Sequence, residues 1–357
     1  MRLVTIRTSG GRPIGGVDEG QTGGAARAFD GGVAVVLAGG RLLTLAALAE
    51  AAPGRLPGDI GGLDLAALLT RDPKLAAIRA ALETTGIGAL DALALDPAGV
   101  RLAAPIPRPG KIVGVGYNYL DHIHEQGLER PARPVLFSKF ASSVAADGEP
   151  IRHPAATHAL DLEAELAVVI GRRARRVPAH EALRYVAGYT AANDVTARDW
   201  QGQARALRPG EKGDGQWLRA KGSDTFLPLG PVLVTADELG DGRGLSVRSW
   251  LTAVSGPLAG EPFQMQDGSS AELLFGVPDL IEIISREVTL DPGDVILTGT
   301  PSGVGVFREP SIFLAPGDLV RVEVEGIGSL TNPVTDEEGN APTGSPAARF
   351  MTDRLAG

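Results

Sequence analysis

The stretch Asp161-Leu-Glu-Ala-Glu-Leu-Ala-Val-Val-Ile170 decides the fold. It contains two glutamates that are followed by an unbroken apolar run. The run 166–170 predicts a buried β-strand, because it is short, apolar and rich in branched residues. If the strand begins at Glu163, period-two alternation places Glu163 and Glu165 on one face. Two carboxylates so close repel each other in a partly buried site unless a proton or a hard cation neutralises them. The stretch therefore predicts an acidic site, the alternative being a solvated strand end.

Strand patterns dominate on both sides of this stretch. Short helices are expected at 179–187 and 270–285, but helices and strands do not alternate regularly, which argues against a doubly wound parallel sheet. The pattern predicts a β-rich α+β fold with a rolled or sandwiched mixed sheet. The other expected strands are 112–115, 135–137, 186–190, 232–235, 247–254, 295–298 and 319–324.

Three prolines between residues 105 and 109 mark a stiff, extended boundary. We therefore predict a small N-terminal α+β domain at 1–106, a catalytic domain at 107–335 and a C-terminal arm at 336–357, the chain being polar from Thr331 onward. In the N-terminal domain 32–38 has the pattern of a strand, and Asp72-Pro73 opens a helix that Gly86 closes. No catalytic constellation stands out in this domain.

The composition excludes several classes of protein. With 34 basic and 43 acidic residues the net charge is −9, which disfavours nucleic acid and anionic lipid as partners. The chain has no cysteine, so any metal is held by oxygen or imidazole. No apolar stretch approaches the ~18 residues of a membrane span, and the start lacks a signal-peptide pattern. We therefore expect a cytoplasmic protein. The glycines of the chain complete no dinucleotide-binding or P-loop motif, so nucleotide binding has no support.

Asp194 lies in a second informative stretch, Tyr189-Thr-Ala-Ala-Asn-Asp-Val-Thr-Ala-Arg-Asp-Trp-Gln201. A carboxylate among small and β-branched residues needs a partner, and a neighbouring strand would bring it beside Glu163 and Glu165. Three carboxylates without Cys or His suit Mg²⁺ or Mn²⁺ and leave coordination positions for water or a chelating substrate. Taken alone, an aspartate such as Asp194 is more often a turn or capping residue.

Gly116-Tyr-Asn-Tyr-Leu-Asp-His-Ile-His-Glu125 places His122 and Glu125 three residues apart. On a helical turn the carboxylate can orient the imidazole and raise its basicity, as a water-activating base requires.

Lys221 stands among small and apolar residues in a chain whose usual cation is Arg. Such a lysine suits a point charge that stabilises an oxyanion, although a solvated loop cation fits as well. The glycine-rich loop 298–305 offers N–H donors to an anionic ligand, or serves only as a tight turn.

Taken in order, these motifs resemble the fumarylacetoacetate hydrolase family. The matching stretches run from Lys111 to about Val334 and include GVGYNYLDHIHE, PVLFSKFASS, LEAELAVVIG, YVAGYTAANDVTARDWQ, AKGSDTFLPLGPVL and DPGDVILTGTPSGVG. The resemblance implies a β-roll domain and a divalent cation, usually Mg²⁺, with Mn²⁺ or Ca²⁺ as alternatives. It also implies a homodimer, and the segment 201–220 is long enough to form a lid or a subunit contact.

The resemblance also assigns roles to individual residues. The metal ligands it implies are Glu163, Glu165 and Asp194, and the catalytic groups are His122, Glu125 and Lys221. The substrate contacts it implies are Arg198, Gln201, Thr300 and Lys139.

The reaction implied by the resemblance is hydrolysis of a C–C bond in a 2,4-dioxo acid of the acylpyruvate or fumarylacetoacetate type. The acid chelates the metal, water activated by His122 attacks the 4-carbonyl, and a metal-bound enolate forms. Without the water, the same chemistry decarboxylates or isomerises an oxo-dicarboxylic acid. A non-catalytic, metal-stabilised binding protein is a third alternative. The intact His–Glu dyad favours hydrolysis.

Overall fold

The computed structural model describes residues 1–7 and 31–356. Its strands are β1 Arg2–Arg7, β2 Gly31–Val36, β3 Leu42–Thr44, β4 Leu102–Ala103, β5 Ile112–Gly116, β6 Val135–Lys139, β7 Val144–Ala145, β8 Ile151–Arg152, β9 Leu160–Asp161, β10 Ala164–Ile170, β11 Val186–Asn193, β12 Thr196–Ala197, β13 Leu227–Thr235, β14 Ser246–Thr252, β15 Phe263–Ser269, β16 Val295–Leu297, β17 Leu319–Val324 and β18 Gly328–Thr335. Its helices are α1 Leu45–Ala51, α2 Leu65–Arg71, α3 Ala76–Thr84, α4 Ile87–Leu93, α5 Leu120–Glu125, α6 Ala179–Ala182, α7 Arg198–Gln201, α8 Trp217–Gly222, α9 Ala236–Leu239, α10 Val277–Glu287 and α11 Pro346–Ala356.

The main sheet is built around β10. Its path runs β3-β2-β1-β13-β11-β10-β16-β5-β6, and every residue of β10 is buried. The strand is apolar because both of its faces are covered: Leu166 and Val168 belong to one hydrophobic core, Ala167 and Val169 to another. This central strand carries the acidic stretch to the middle of the molecule.

A second sheet, in the order β15-β14-β17-β18-β8, packs on one face of the first. In β14 buried and half-buried residues alternate, so one face of the strand meets the core, where Val247 and Leu251 join Leu166 of β10. The arrangement confirms the expected β-rich α+β fold with mixed, packed sheets. The sequence did not predict β1, β15 and β18, nor the short strands β3, β4, β7, β8, β9 and β12.

The N-terminal residues extend the main sheet, since β1 pairs antiparallel with β13. Their core is continuous with that of the rest: Leu43 and Ile78 lie in one cluster with Val169 and Leu229. The boundary at 106/107 stays a prediction, but strands from both sides of it share one sheet.

Two local expectations need correction. The helix expected to open at Asp72 begins at Ala76, because Leu75 takes a left-handed conformation with φ of 54°, while the Asp72 carboxylate accepts the Ala77 N–H at 2.9 Å. The chain is polar from Thr331 onward, but residues 331–335 are not a surface tail: they belong to β18, where 331–333 pair with β17 and 334–335 with β8, and α11 packs against β18. Nowhere in the described ranges does a helix combine the length and the apolar character needed to cross a bilayer.

Gly188 offers a test of how closely β11 and β13 pack. A Cβ at this position would collide with the carbonyl oxygen of Val234 and the Cα of Thr235, which are backbone atoms and cannot rotate away. We expect Gly188→Ala to lower the free energy of unfolding in urea by ~1–3 kcal/mol. Gly88→Ala in α4 is the control, because nothing lies within 4 Å of its Cβ position, and it should be neutral or stabilising by up to ~1 kcal/mol. Equal stabilities of the two variants would contradict the packing argument.

Candidate active site

Three carboxylates meet where β10 begins and β11 ends. Glu163 directly precedes β10, Glu165 lies within it, and Asp194 directly follows β11. The antiparallel register pairs Ala164 with Asn193, and the Asp194 N–H donates to the Glu163 carbonyl at 2.9 Å. One oxygen from each carboxylate lies within 4.8 Å of the others, and all three residues are buried. The structure thus brings the predicted acidic residues together.

Buried ammonium groups hold two of these three carboxylates. Lys221 Nζ donates to Glu163 Oε2 at 2.8 Å and to Asp194 Oδ2 at 2.7 Å, and Lys139 Nζ donates to Asp194 Oδ1 at 2.6 Å. Burial opposes ionisation of Glu163, but the charges of Lys221 and Arg198 outweigh it and lower the pKa of Glu163 to about 2.

Glu165 is in a different position. Its Oε2 accepts the Gly299 N–H at 2.8 Å. Burial, followed by the nearby Asp194 and Glu163 carboxylates, raises the pKa of Glu165 well above its usual value. The charge on Glu165 is therefore the one that a bound cation would compensate.

The donor set fits a hard divalent cation. It consists only of carboxylate oxygens, it is buried, and one carboxylate still repels the others. Glu163, Glu165 and Asp194 are the residues that would hold such an ion. A second group, His158, Asp199 and Glu211, also has ligand atoms within 4.8 Å of one another. Its imidazole is already engaged, with Nδ1 at 3.2 Å from Asp199 and Nε2 at 2.9 Å from the Ala206 carbonyl.

Helix α5 carries the predicted dyad. His122 Nδ1 lies 2.8 Å from Glu125 Oε2, as the three-residue spacing predicts. A carboxylate on Nδ1 favours the tautomer with its proton there, so Nε2 is the basic nitrogen. The second oxygen of Glu125 accepts the Gly303 N–H at 2.8 Å, and the His122 ring packs edge-on against Phe307 with centroids 5.7 Å apart.

The histidine of the dyad and two of the three carboxylates line one cavity of about 130 Å³. Its wall includes His122, Glu163, Glu165 and Lys221 together with three of the four expected substrate contacts, which are Arg198, Gln201 and Thr300. Two of those contacts are already occupied by the protein. Arg198 donates to Asp161 at 2.9 Å and forms an ion pair with Glu163 at 2.7 Å, and the Thr300 hydroxyl donates to the Ala164 carbonyl at 2.8 Å.

Lys139 is placed differently from the expectation. Its side chain is fully buried and binds Asp194, so it supports that carboxylate from behind and does not line the cavity. The loop 298–305, a candidate for binding an anionic ligand, instead donates its N–H groups to the protein's own carboxylates. Gly299 bonds to Glu165 and Gly303 bonds to Glu125.

Aromatic side chains in the cavity wall were not recognised from the sequence. Tyr117, Phe137, Trp217 and Phe307 contribute to it. Tyr117 stands in the glycine-rich stretch before α5 and has a φ of 55°, which is rare for a bulky residue; burial raises the pKa of its phenol. Trp217 comes from the segment 201–220, so this stretch supplies part of the wall, and its role as a lid or subunit contact stays a prediction.

Comparison with known proteins agrees with the motifs. Residues 111–335 match the family model of the fumarylacetoacetate (FAA) hydrolase C-terminal domain. The chain is 44% identical over 240 residues to oxaloacetate tautomerase fahd2, mitochondrial, of Xenopus laevis, covering 67% of this chain and 70% of that protein. The structure of 5-carboxymethyl-2-hydroxymuconate delta-isomerase from Mycobacterium smegmatis is 40% identical, with a TM-score of 0.56 over 68% of this chain and 83% of that one. The fumarylacetoacetate hydrolase from psychrophilic Exiguobacterium antarcticum is 29% identical, with a TM-score of 0.66 over 94% and 99%. This chain therefore belongs to the fumarylacetoacetate hydrolase family.

Proposed function

We propose that this protein is a keto–enol tautomerase of a short 2-oxo dicarboxylic acid of the oxaloacetate type. The observation that carries the proposal is the meeting, around one small cavity, of a histidine base, a buried ammonium group and two carboxylates of the triad, Glu163 and Glu165. The relative from Xenopus laevis is named an oxaloacetate tautomerase and the similar mycobacterial structure an isomerase, which favours this reaction over hydrolysis.

The charges of the site favour an acidic substrate. Four buried carboxylates (Asp161, Glu163, Glu165 and Asp194) face three buried cations (Lys139, Arg198 and Lys221). A divalent cation would turn their negative balance into a positive one, which attracts anions. At about 130 Å³ the cavity is smaller than the ~300–1,000 Å³ of sites for drug-sized ligands. Both properties suit a four- to six-carbon acid.

Mg²⁺ is the ion we propose for the triad, where it would act as a Lewis acid for the substrate's carboxylate and 2-oxo oxygens. His122 Nε2 removes the proton from C3 of the keto form and, as imidazolium, returns it to the 2-oxygen, so that no proton is gained or lost. Glu125 holds Nδ1–H and stabilises the imidazolium. Lys221 stays charged, since Asp194 and Glu163 outweigh burial and raise its pKa, and it offers a fixed positive charge to the enolate.

The rings of Phe137, Trp217 and Phe307 narrow the cavity and limit its water. Arg198 Nη2 is buried with no hydrogen-bond partner among the described residues. This N–H group is the donor we assign to the distal carboxylate of the substrate. Gln201 stands beside it, with Oε1 at 3.2 Å from Arg198 Nη1.

A tautomerase assay tests the proposal directly. Freshly dissolved oxaloacetate is followed by its enol absorbance and by proton NMR, with Mg²⁺ or with EDTA. We expect enzyme-dependent, EDTA-sensitive equilibration of the keto and enol forms without loss of carbon. Pyruvate released from oxaloacetate would instead indicate a decarboxylase. Enzyme that leaves the equilibration rate unchanged would refute the proposal.

Hydrolysis of a C–C bond in a 2,4-dioxo acid is the second candidate, and the His122–Glu125 geometry favours it. The same base that takes a proton from carbon can take one from water. Release of pyruvate from short acylpyruvates, measured with lactate dehydrogenase, distinguishes this activity from tautomerisation.

We also propose a homodimer and a cytoplasmic location. In the described part of the chain β6 has a strand neighbour on one side only, and Leu136, Phe140 and Leu218 near it are exposed. An apolar strand edge suits pairing with a second copy. Light scattering after size-exclusion chromatography gives the oligomeric state, and cell fractionation gives the location.

A further inference from the structure

We infer that Asp121 is a positioning residue that fixes helix α5, and with it His122, on the glycine-rich loop 299–303. The inference rests on the proposed role of His122 as the base. Asp121 is not one of the residues that the sequence or the family resemblance singled out.

Asp121 bonds to both elements at once. Its Oδ1 accepts the backbone N–H of His122 at 2.7 Å. Its Oδ2 accepts the N–H of Ser302 at 3.1 Å and the Ser302 hydroxyl at 3.0 Å. Hydrogen bonds to a charged acceptor are about twice as strong as neutral ones. One carboxylate thus joins the backbone of the base to the loop.

Glu125 makes a parallel contact one helical turn later. While Oε2 orients the imidazole, Oε1 accepts the Gly303 N–H at 2.8 Å. Two carboxylates on the same side of α5 therefore hold two consecutive amides of the loop. We call this set of contacts, Asp121 and Glu125 with Ser302 and Gly303, the latch.

Helix α5 depends on the latch because its own backbone hydrogen bonds do not fix its orientation. It has only six residues, and its first turn has no side-chain cap from Tyr119. Helices this short are unstable without tertiary contacts. The hydrogen bonds of the latch join α5 directly to the glycine-rich loop.

The other end of the loop reaches the carboxylate triad. Gly299 donates its N–H to Glu165 Oε2 at 2.8 Å, and Thr300 lines the cavity. The loop is therefore bonded to the triad at one end and to the dyad helix at the other. This arrangement sets the distance between the base and the place where a 2-oxo acid would bind, and an error of about 1 Å in such a distance can cost ~10²-fold in rate.

The latch is tested with Asp121→Ala, Ser302→Ala and Ser302→Thr in the Mg²⁺-loaded enzyme. We expect Asp121→Ala to lower kcat by ~10- to 100-fold with KM changed by less than about threefold, since placement of the base is lost and not substrate binding. Ser302→Ala should lower kcat by about threefold to tenfold. Ser302→Thr should keep a kcat near that of wild type, because threonine keeps the hydroxyl. Glu181→Ala, at a half-exposed acidic residue in the first turn of α6, is the matched control and should leave kcat unchanged.

Two readouts separate positioning from a merely structural role. Hydrogen exchange should show faster exchange of the Ser302 amide in Asp121→Ala, with global stability within about 1 kcal/mol of wild type. The ring signals of His122, assigned by their loss in His122→Ala, should be sharp in wild type and exchange-broadened in Asp121→Ala.

Each outcome decides one question. A kcat within twofold of wild type in Asp121→Ala and Ser302→Ala, or a loss that follows only the folded fraction, would overturn the latch. If Asp121→Ala does not fold, Ser302→Ala alone decides. If wild type shows no activity on any oxo acid, the proposed function fails, and the His122 ring signals decide the latch independently.

Discussion

Replacing His122 with alanine is expected to lower kcat for tautomerisation by ~10²–10⁴-fold, the usual contribution of a positioned general base. The structure gives the reason: Glu125 orients Nδ1 at 2.8 Å, and the ring lies in the cavity wall that also contains Glu163 and Lys221. No other imidazole belongs to that wall. Steady-state kinetics with Mg²⁺ at saturating substrate measures the effect.

His124 provides the matched control for this experiment. It lies on the same helix but is exposed, so His124→Ala should retain nearly full activity. Glu125→Gln should show an intermediate loss, because glutamine can still accept the Gly303 N–H but cannot stabilise an imidazolium. Retention of more than a tenth of kcat in His122→Ala would remove this histidine from the mechanism.

Much of the site could be predicted because its residues lie in locally readable patterns. Glu163 and Glu165 precede a run whose burial follows from its composition, and period-two alternation places them on one face whatever the rest of the chain does. His122 and Glu125 need only one helical turn to meet. Asp194 required one further assumption, an antiparallel neighbour, and β11 supplies it.

What could not be predicted depends on contacts distant in sequence. The pairing of β1 with β13 joins residues more than 200 positions apart, and no local pattern specifies such a partner. Lys139 has the charge expected of a substrate-binding residue. Its contact with Asp194, however, follows only from the packing of β6. The amides of the glycine-rich loop were available to a ligand on sequence grounds, and only the folded chain shows that Glu165 and Glu125 use them.

Glu165→Gln and Asp194→Asn each remove one negative charge from the triad, but we expect opposite effects on the metal-free protein. Asp194 is bound by the buried ammonium groups of Lys139 and Lys221, so its loss leaves both undercompensated and should lower the free energy of unfolding by ~3–5 kcal/mol. Glu165 is repelled by its neighbours, so Glu165→Gln should be neutral or stabilising. A second change, Lys139→Met in the Asp194→Asn background, should restore part of the lost stability.

The pH dependence of the metal-free protein follows from the same carboxylate. The pKa of Glu165 is higher in the folded chain than in the unfolded one. Protonation of Glu165 therefore contributes fully to the free energy of unfolding below about pH 4.5, and this contribution is lost as the pH rises through the folded-state pKa. Above about pH 4.5, stability in EDTA should therefore fall with rising pH in wild type and fall less in Glu165→Gln.

Mg²⁺ should reverse the order of stability of wild type and Glu165→Gln. An ion that binds only the folded protein stabilises it by ~2.7 kcal/mol at 100 times its Kd, and the triad gives wild type such a site. Both Glu165→Gln and Asp194→Asn should lose most of this stabilisation by Mg²⁺ and most of the activity. Glu165→Gln would then be at least as stable as wild type without metal, but its stability would respond much less to Mg²⁺. Thermal unfolding in EDTA and across a Mg²⁺ titration measures both quantities. An Mg²⁺ response in Glu165→Gln equal to that of wild type would place the ion elsewhere, because the carboxylate whose charge most needs a cation would then have no part in binding it.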